Sequence, residues 1–183
     1  MQHPEYNRDT NPYPSYGKRY NSEPAVISLT SWRARINTVS KTLFSLLKQC
    51  PGFHIVLVLS EEEFPKMMDE LPENLKLFVD NELIEIMWIY RNFKSLKKVI
   101  FTMDKYRHVP IISADDDCWY ICNYAHMLYN QWKEEETRVV TFTKVNSGKT
   151  QGPCTLYPPC VFNLFTSYKI TNKNAMDDAI YST

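Results

Sequence analysis

His54-Ile55-Val56-Leu57-Val58-Leu59 is the stretch on which the fold turns. From Ile55 onward every residue is apolar and several are β-branched, so neither face of a strand here offers a polar side to water. A strand exposed on one face alternates; a run without alternation predicts a strand covered on both faces, as in a parallel sheet between layers of helix. Residues 25–29 (AVISL) form a similar short run between Pro24 and the polar Thr30-Ser31, and residues 84–89 and 109–113 supply two more.

The segments between these runs have helical spacing. Val39, Leu43, Leu46, Leu47 and Cys50 fall at i, i+4, i+7, i+8 and i+11, one apolar stripe, and Pro51-Gly52 stops it. Ser60 with Glu63 has the pattern of a capping box and predicts a short helix through Met67, Met68 and Glu70, with Pro65 early enough to be tolerated. Leu96, Val99, Ile100 and Met103 mark a helix over 95–106, and 121–134 reads as another. Residues 138–143 read as a further strand, and 152–159 (GPCTLYPP) as an extended, proline-braced loop. Strand and helix in alternation predict an α/β sandwich with a mostly parallel central sheet flanked by helices.

Residues 25–183 are expected to form one domain, since 183 residues with 44% hydrophobic content suit a single core. Residues 1–24 lack Ala, Val, Ile, Leu and Phe but carry Pro4, Pro12, Pro14, Pro24 and Tyr6, Tyr13, Tyr16, Tyr20. Such a segment buries too little apolar area to offset its ordering entropy and reads as a flexible or surface-draped polar arm.

Composition narrows the function. The chain has four glycines, where average usage of roughly 7% would give about thirteen. Neither the glycine-rich dinucleotide turn nor the full P-loop pattern fits, because Gly148-Lys149-Thr150 has Thr143 where the first P-loop glycine belongs. Lys+Arg and Asp+Glu balance at 21 each, which argues against a nucleic-acid binder driven by phosphate contacts. No apolar stretch approaches a membrane span, and residues 1–24 lack the apolar core of a signal peptide. Cys50, Cys118, Cys122, Cys154 and Cys160 are odd in number and show no paired C-x-x-C spacing. Free thiols in a reducing, cytoplasmic setting are therefore expected.

In open α/β sheets ligands sit beyond the carboxyl ends of the strands. Two polar segments stand there: Thr30-Ser31-Trp32-Arg33-Ala34-Arg35 after the run at 25–29, and Asp115-Asp116-Asp117 after 109–113. Residues two apart in an extended backbone share a side, so Asp115 and Asp117 could flank one hard divalent ion together with phosphate oxygens. Asp116 would then face solvent, a sugar hydroxyl or a sheet residue. A solvated acidic turn is the alternative. Arg33 and Arg35 each offer a planar fork matched to phosphate, or could cap a carbonyl or pair with a surface carboxylate. Lys94, Lys97 and Lys98 sit at a helix start, against its dipole, which an anionic ligand would compensate; a solvated face is the other reading. Asp177-Asp178 near the end could supply a general base for an acceptor hydroxyl, or simply favour a helix N-terminus.

Taken in order, residues 25–36 (AVISLTSWRARI), 42–49 (TLFSLLKQ), 55–60, Phe64-Pro65, Leu71-Pro72 and 111–120 (IISADDDCWY) are similar to a bacterial-type family of GT-A-fold glycosyltransferases of polysaccharide synthesis. The late segments 156–159 (LYPP) and 177–180 resemble that family's later motifs, so the resemblance covers about residues 25–181. It implies a UDP- or GDP-type nucleotide-sugar donor, a glycan or lipid-linked acceptor, and Mn²⁺ or Mg²⁺ held by the D-x-D motif Asp115–Asp117. It also implies that Thr30, Ser31, Arg33, Arg35 and Asp116 border the nucleotide, with Lys97 or Lys98 nearby, and that Asp177 or Asp178 is the catalytic base. Contact with a membrane surface would accompany a lipid-linked acceptor.

Two departures stand out. Cys118-Trp119 follows the aspartates where smaller or aliphatic residues are usual, and the sequence runs only five residues beyond Asp178. These motivate an alternative, a catalytically impaired protein that keeps nucleotide or glycan binding. A phosphohydrolase fits less well, because its D-x-D-x-[TV] arrangement belongs on a first strand and these aspartates lie mid-chain.

Overall fold

The computed structural model describes the backbone of residues 15–16 and, in full, residues 24–49, 53–142 and 154–159. Within these, the strands are β1 (Ser15–Tyr16), β2 (Ala25–Thr30), β3 (Phe53–Ser60), β4 (Glu85–Ile89), β5 (Ile111–Ser113), β6 (Val140–Thr141) and β7 (Thr155–Tyr157). They join in one sheet of order β1-β4-β3-β2-β5-β7-β6. The four strands β4-β3-β2-β5 are mutually parallel, while β1 and β7 run against their neighbours at either side. The mostly parallel α/β sandwich expected from the unbroken apolar runs is present.

The run around Ile55–Leu59 shows why alternation is missing. Ile55, Leu57 and Leu59 enter one core, with Ile27, Leu29, Ile86 and Trp88 beside them. Val56 and Val58 enter a second core on the opposite face, with Val26, Met87, Ile89 and Ile111. Helices α1 (Val39–Leu47), α2 (Glu73–Asp80) and α4 (Tyr124–Glu134) contribute Leu43, Leu46, Leu75, Val79, Leu128 and Trp132 to the first core. Helix α3 (Lys97–Lys105) covers the second with Val99, Ile100 and Met103.

Three details differ from the sequence reading. The segment opened by Ser60 and Glu63 is a turn followed by a 3-10 helix at Met67–Glu70, because the Ser60 hydroxyl bonds the Glu63 carboxylate at 2.9 Å and Pro65 intervenes. Helix α2, which follows Pro72, has no clear sequence signal: only Leu75 and Val79 of its eight residues are buried, and Leu77 is exposed. The proline-braced loop contains β7, whose Thr155–Tyr157 pairs with both β5 and β6.

With few glycines, left-handed backbone falls on other residues. Met67, Glu82, Lys94 and Cys154 have φ between 51° and 73°, a region that costs roughly 1–2 kcal/mol for residues with a Cβ.

A buried polar cluster closes the amino ends of β3 and β4. His54 Nε2 and the Tyr106 hydroxyl lie 3.1 Å and 2.7 Å from one oxygen of Glu85, and Lys105 pairs with the other. Burial alone pushes the Glu85 carboxyl up. The His54 hydrogen bond, the Lys105 ammonium and the Tyr106 hydroxyl outweigh it, and the net direction is below the ordinary value.

Candidate functional site

The central strands β2 and β5 pair in register from Val26↔Ile111 to Ser28↔Ser113. The Ala114 amide extends the ladder by donating to the Ser28 carbonyl at 2.8 Å. The loop after β2 and the three aspartates after β5 therefore leave the sheet side by side, at its carboxyl rim.

Asp116 is the buried member of the triplet and joins the two loops. Its Oδ2 accepts from the Ser31 hydroxyl at 2.6 Å and its Oδ1 from Arg35 Nη1 at 2.8 Å. Arg35 Nη1 also lies 2.7 Å from Asp117 Oδ2. Thr42 in α1 has its hydroxyl 2.9 Å from the main-chain carbonyls of both Asp116 and Cys118, which holds the turn from below. Thr30 is turned back into the sheet and donates to the Val58 carbonyl at 2.7 Å.

Asp115 is served from α3. Lys98 Nζ lies 2.6 Å from Asp115 Oδ1, and its side chain is only 2% exposed. The helix register that puts it there is fixed at Ser28, whose hydroxyl donates to the Lys98 carbonyl at 2.5 Å and meets Thr102 Oγ1 at 2.8 Å. The Asp115 amide donates to the Tyr120 hydroxyl at 2.7 Å, and burial raises the pKa of that phenol.

The remaining expected cations face carboxylates of the chain itself. Lys97 Nζ reaches Glu63 Oε2 at 2.7 Å and Asn92 Oδ1 at 3.0 Å. Burial lowers the Lys97 pKa, and Glu63 offsets part of that. Lys97 and Lys98 are thus themselves buried, each paired with a partly exposed carboxylate, and do not form a solvated face; the cost of their position against the helix dipole is met by the protein's own charges. Arg33 turns away from the aspartates: it donates to the Glu63 carbonyl at 3.0 Å through Nε and pairs with Glu70 at 2.6 Å. The structure therefore gathers Ser31, Arg35, Lys98 and the three aspartates in one place, with Thr30 and Lys97 at its edge and Arg33 apart. Asp177 and Asp178 lie outside the described residues, as do Gly148-Lys149-Thr150, Cys50 and Cys160.

Among the described residues, three carboxylates here pair directly with two cations, Lys98 and Arg35. One donor atom each from Asp115, Asp117 and Cys118 lies within 4.8 Å of the others. Bonds of about 2.1 Å to oxygen and 2.3 Å to sulfur put neighbouring donors on one ion roughly 3–3.7 Å apart, so this set could hold a divalent cation once its side chains draw slightly together. Burial and the neighbouring carboxylates Asp115 and Asp117 push the Cys118 thiol up.

An apolar cavity of about 390 Å³ opens next to the turn, lined by Cys118, Trp119, Ile121, Tyr124, Met127 and Phe142 among others. Thr42, Tyr120, Cys118 and Glu63 were not read as parts of the site from sequence. In sequence Glu63 reads as part of a helix cap, and only the fold brings it to Lys97.

The arrangement has a solved counterpart. The crystal structure of S. aureus TarS 1-349, a glycosyltransferase of GT-A type, is similar to this chain with a TM-score of 0.57. The fold is GT-A. Identity is 12%, and the match covers 87% of this chain and 54% of that one, so the chain spans about half the length of the TarS structure. No family model matches the sequence, and no curated protein matches it. Among the described residues, no helix is long and apolar enough to cross a membrane.

Proposed function

We propose that this chain is a metal-dependent glycosyltransferase that moves a sugar from a nucleoside-diphosphate donor to a hydroxyl acceptor. The observation that carries the reading is the placement of Asp115 and Asp117, with donor atoms close enough for one ion, at the carboxyl rim of a GT-A sheet. Asp115 and Asp117 would hold Mn²⁺ or Mg²⁺, which supplies a Lewis acid for the negative charge that develops on the diphosphate leaving group.

The chain's own residues do the positioning. Asp116 locks Ser31 and Arg35 against the D-x-D turn, so the loop at 30–35 is set before any ligand arrives. Arg35 presents a half-exposed guanidinium beside Asp117, where its fork can also meet a phosphate oxygen. Lys98 fixes the orientation of Asp115 from beneath. Trp119, exposed two positions after Asp117 and packed against Phe44 and the Lys48 ammonium, offers a flat apolar surface suited to a sugar ring. The base that takes the acceptor proton is Asp177 or Asp178 in this proposal, supported by the sequence resemblance; donor base, donor sugar and acceptor belong to the same reading.

The test is thermal unfolding of the full chain with Mn²⁺ and each of UDP, GDP, CDP and TDP. One nucleotide is expected to raise the melting temperature in a metal-dependent way, and Asp117→Asn to abolish the rise. No shift with any of the four in a folded protein overturns the proposal. A shift with no release of nucleotide from any donor sugar assigns the binding-only alternative.

A further inference from the structure

Of three adjacent carboxylates, Asp116 is already spent: Ser31 occupies one of its oxygens and Arg35 the other. Asp115 and Asp117 each commit one oxygen to a cation, Lys98 and Arg35 respectively; the second oxygen of Asp117 accepts from the Cys118 thiol, a bond that would give way to metal ligation. An ion between them needs more donors than these two. The next side chain to reach the same point is a thiol, because Cys118 follows Asp117 directly and the two Thr42 contacts hold the carbonyls on either side of Asp117. Cys118 Sγ stands 4.0 Å from Asp117 Oδ1, and the three donor atoms fall within 4.8 Å of one another.

We infer that Cys118 ligates the same ion as Asp115 and Asp117, and that this O,O,S donor set makes the centre select Mn²⁺, Co²⁺, Zn²⁺ or Cd²⁺ over Mg²⁺ and Ca²⁺. The inference rests on the metal-dependent reading above and adds a specificity-determining residue to it. Mg²⁺ and Ca²⁺ demand oxygen donors, Mg²⁺ in a near-octahedral shell from which it sheds water reluctantly. Thiolate is a poor substitute for either, whereas it raises affinity for softer ions. On ligation the Cys118 S–H bond breaks, the sulfur lone pair forms the metal–sulfur bond, the proton passes to solvent, and one water leaves the ion; no oxidant or reductant is involved.

The test is a Co²⁺ titration of the full chain under anaerobic, reducing conditions, read by the thiolate-to-cobalt charge-transfer absorption in the near ultraviolet. The band is expected to saturate at one ion per chain, to vanish in Cys118→Ser, and to persist in Cys122→Ser and Cys154→Ser, which remove the other described thiols. Losing even an outer partner of a metal ligand costs about 10–100-fold in affinity, so Cys118→Ser should weaken Cd²⁺ binding at least about tenfold with little change for Mg²⁺. Cys118→Asp restores an all-oxygen set and should narrow the gap between Mn²⁺ and Mg²⁺. It provides a second readout if the serine variant does not fold. Co²⁺ binding that depends on Asp117 but shows no band overturns this inference alone, as does a band that survives in Cys118→Ser. No binding of Co²⁺ or Mn²⁺ at all overturns both the inference and the metal-dependent reading.

Discussion

Glu85→Gln removes a charge that is fully buried at the foot of β4. A glutamine oxygen can still accept from His54 and Tyr106, but its amide would meet the Lys105 ammonium donor to donor. Removing one partner of a buried ion pair costs about 3–5 kcal/mol. Lys105 is 10% exposed, so water recovers part of this, and the expected loss is about 2–4 kcal/mol. For a domain of this size that lowers the melting temperature by about 4–16 °C. The loss should also depend on pH. Glu85 has a folded pKa below its ordinary 4.5, so its contribution is complete above that value and disappears as pH falls through the folded one. The gap between wild type and Glu85→Gln should be widest near neutrality and close in acid. Urea unfolding followed by tryptophan fluorescence across that range measures it. A gap below about 1 kcal/mol at neutral pH, or one that stays constant into acid, would refute the reasoning. The double variant Glu85→Leu/Lys105→Met should recover most of the loss, because His54 Nε2 and the Tyr106 hydroxyl, 3.1 Å apart, retain each other.

Thr42→Val keeps the shape of a buried side chain but leaves two carbonyls of the D-x-D turn without their donor; a loss of about 1–3 kcal/mol in urea unfolding is expected, with a weaker metal-dependent nucleotide shift. Leu57→Ala opens a cavity at the centre of the sheet and should cost about 2–5 kcal/mol in the same assay, with metal binding retained in the folded fraction. Chelation with EDTA should abolish the nucleotide-induced rise in melting temperature while leaving the nucleotide-free melting curve unchanged; a rise that persists in EDTA would show diphosphate binding independent of the ion.

The strands were legible because burial on both faces writes itself as an unbroken apolar run, as at residues 55–59 and 86–89. The long helices were legible for the converse reason, each showing one stripe. Helix α2 was not, since it buries only Leu75 and Val79 and carries an exposed Leu77. Strands β1 and β7 are two or three residues long, too short for any period, and exist because neighbouring strands supply their partners, while the strand read over 138–143 is present only as the two residues of β6. At the rim, chain order was enough to bring residues 30–35 and the aspartates together. It could not show that Asp116 is the anchor, that Arg33 turns to Glu70, or that Lys97 and Lys98 are buried, because those facts depend on contacts more than 15 residues apart. In sequence Cys118 is only a departure from pattern; its closeness to both outer carboxylates is a property of the turn.

The pairing of β2 with β5 also sets an order of events. Ser31 and Asp116 are 85 positions apart, and Arg35 and Asp116 are 81 apart. During synthesis the loop at 30–35 leaves the ribosome long before its anchor exists. Until β5 docks, one edge of β2 lies open in the middle of the future sheet, with its amides and carbonyls free to template a wrong partner. Closing that edge and completing the rim that carries the three aspartates are the same long-range step, a slow kind of contact to form. A chain cut before residue 116 could contain β2, β3, β4 and α3 and still have no site, whereas a misfolded chain with β2 unpaired would fail in solubility and in ligand binding together.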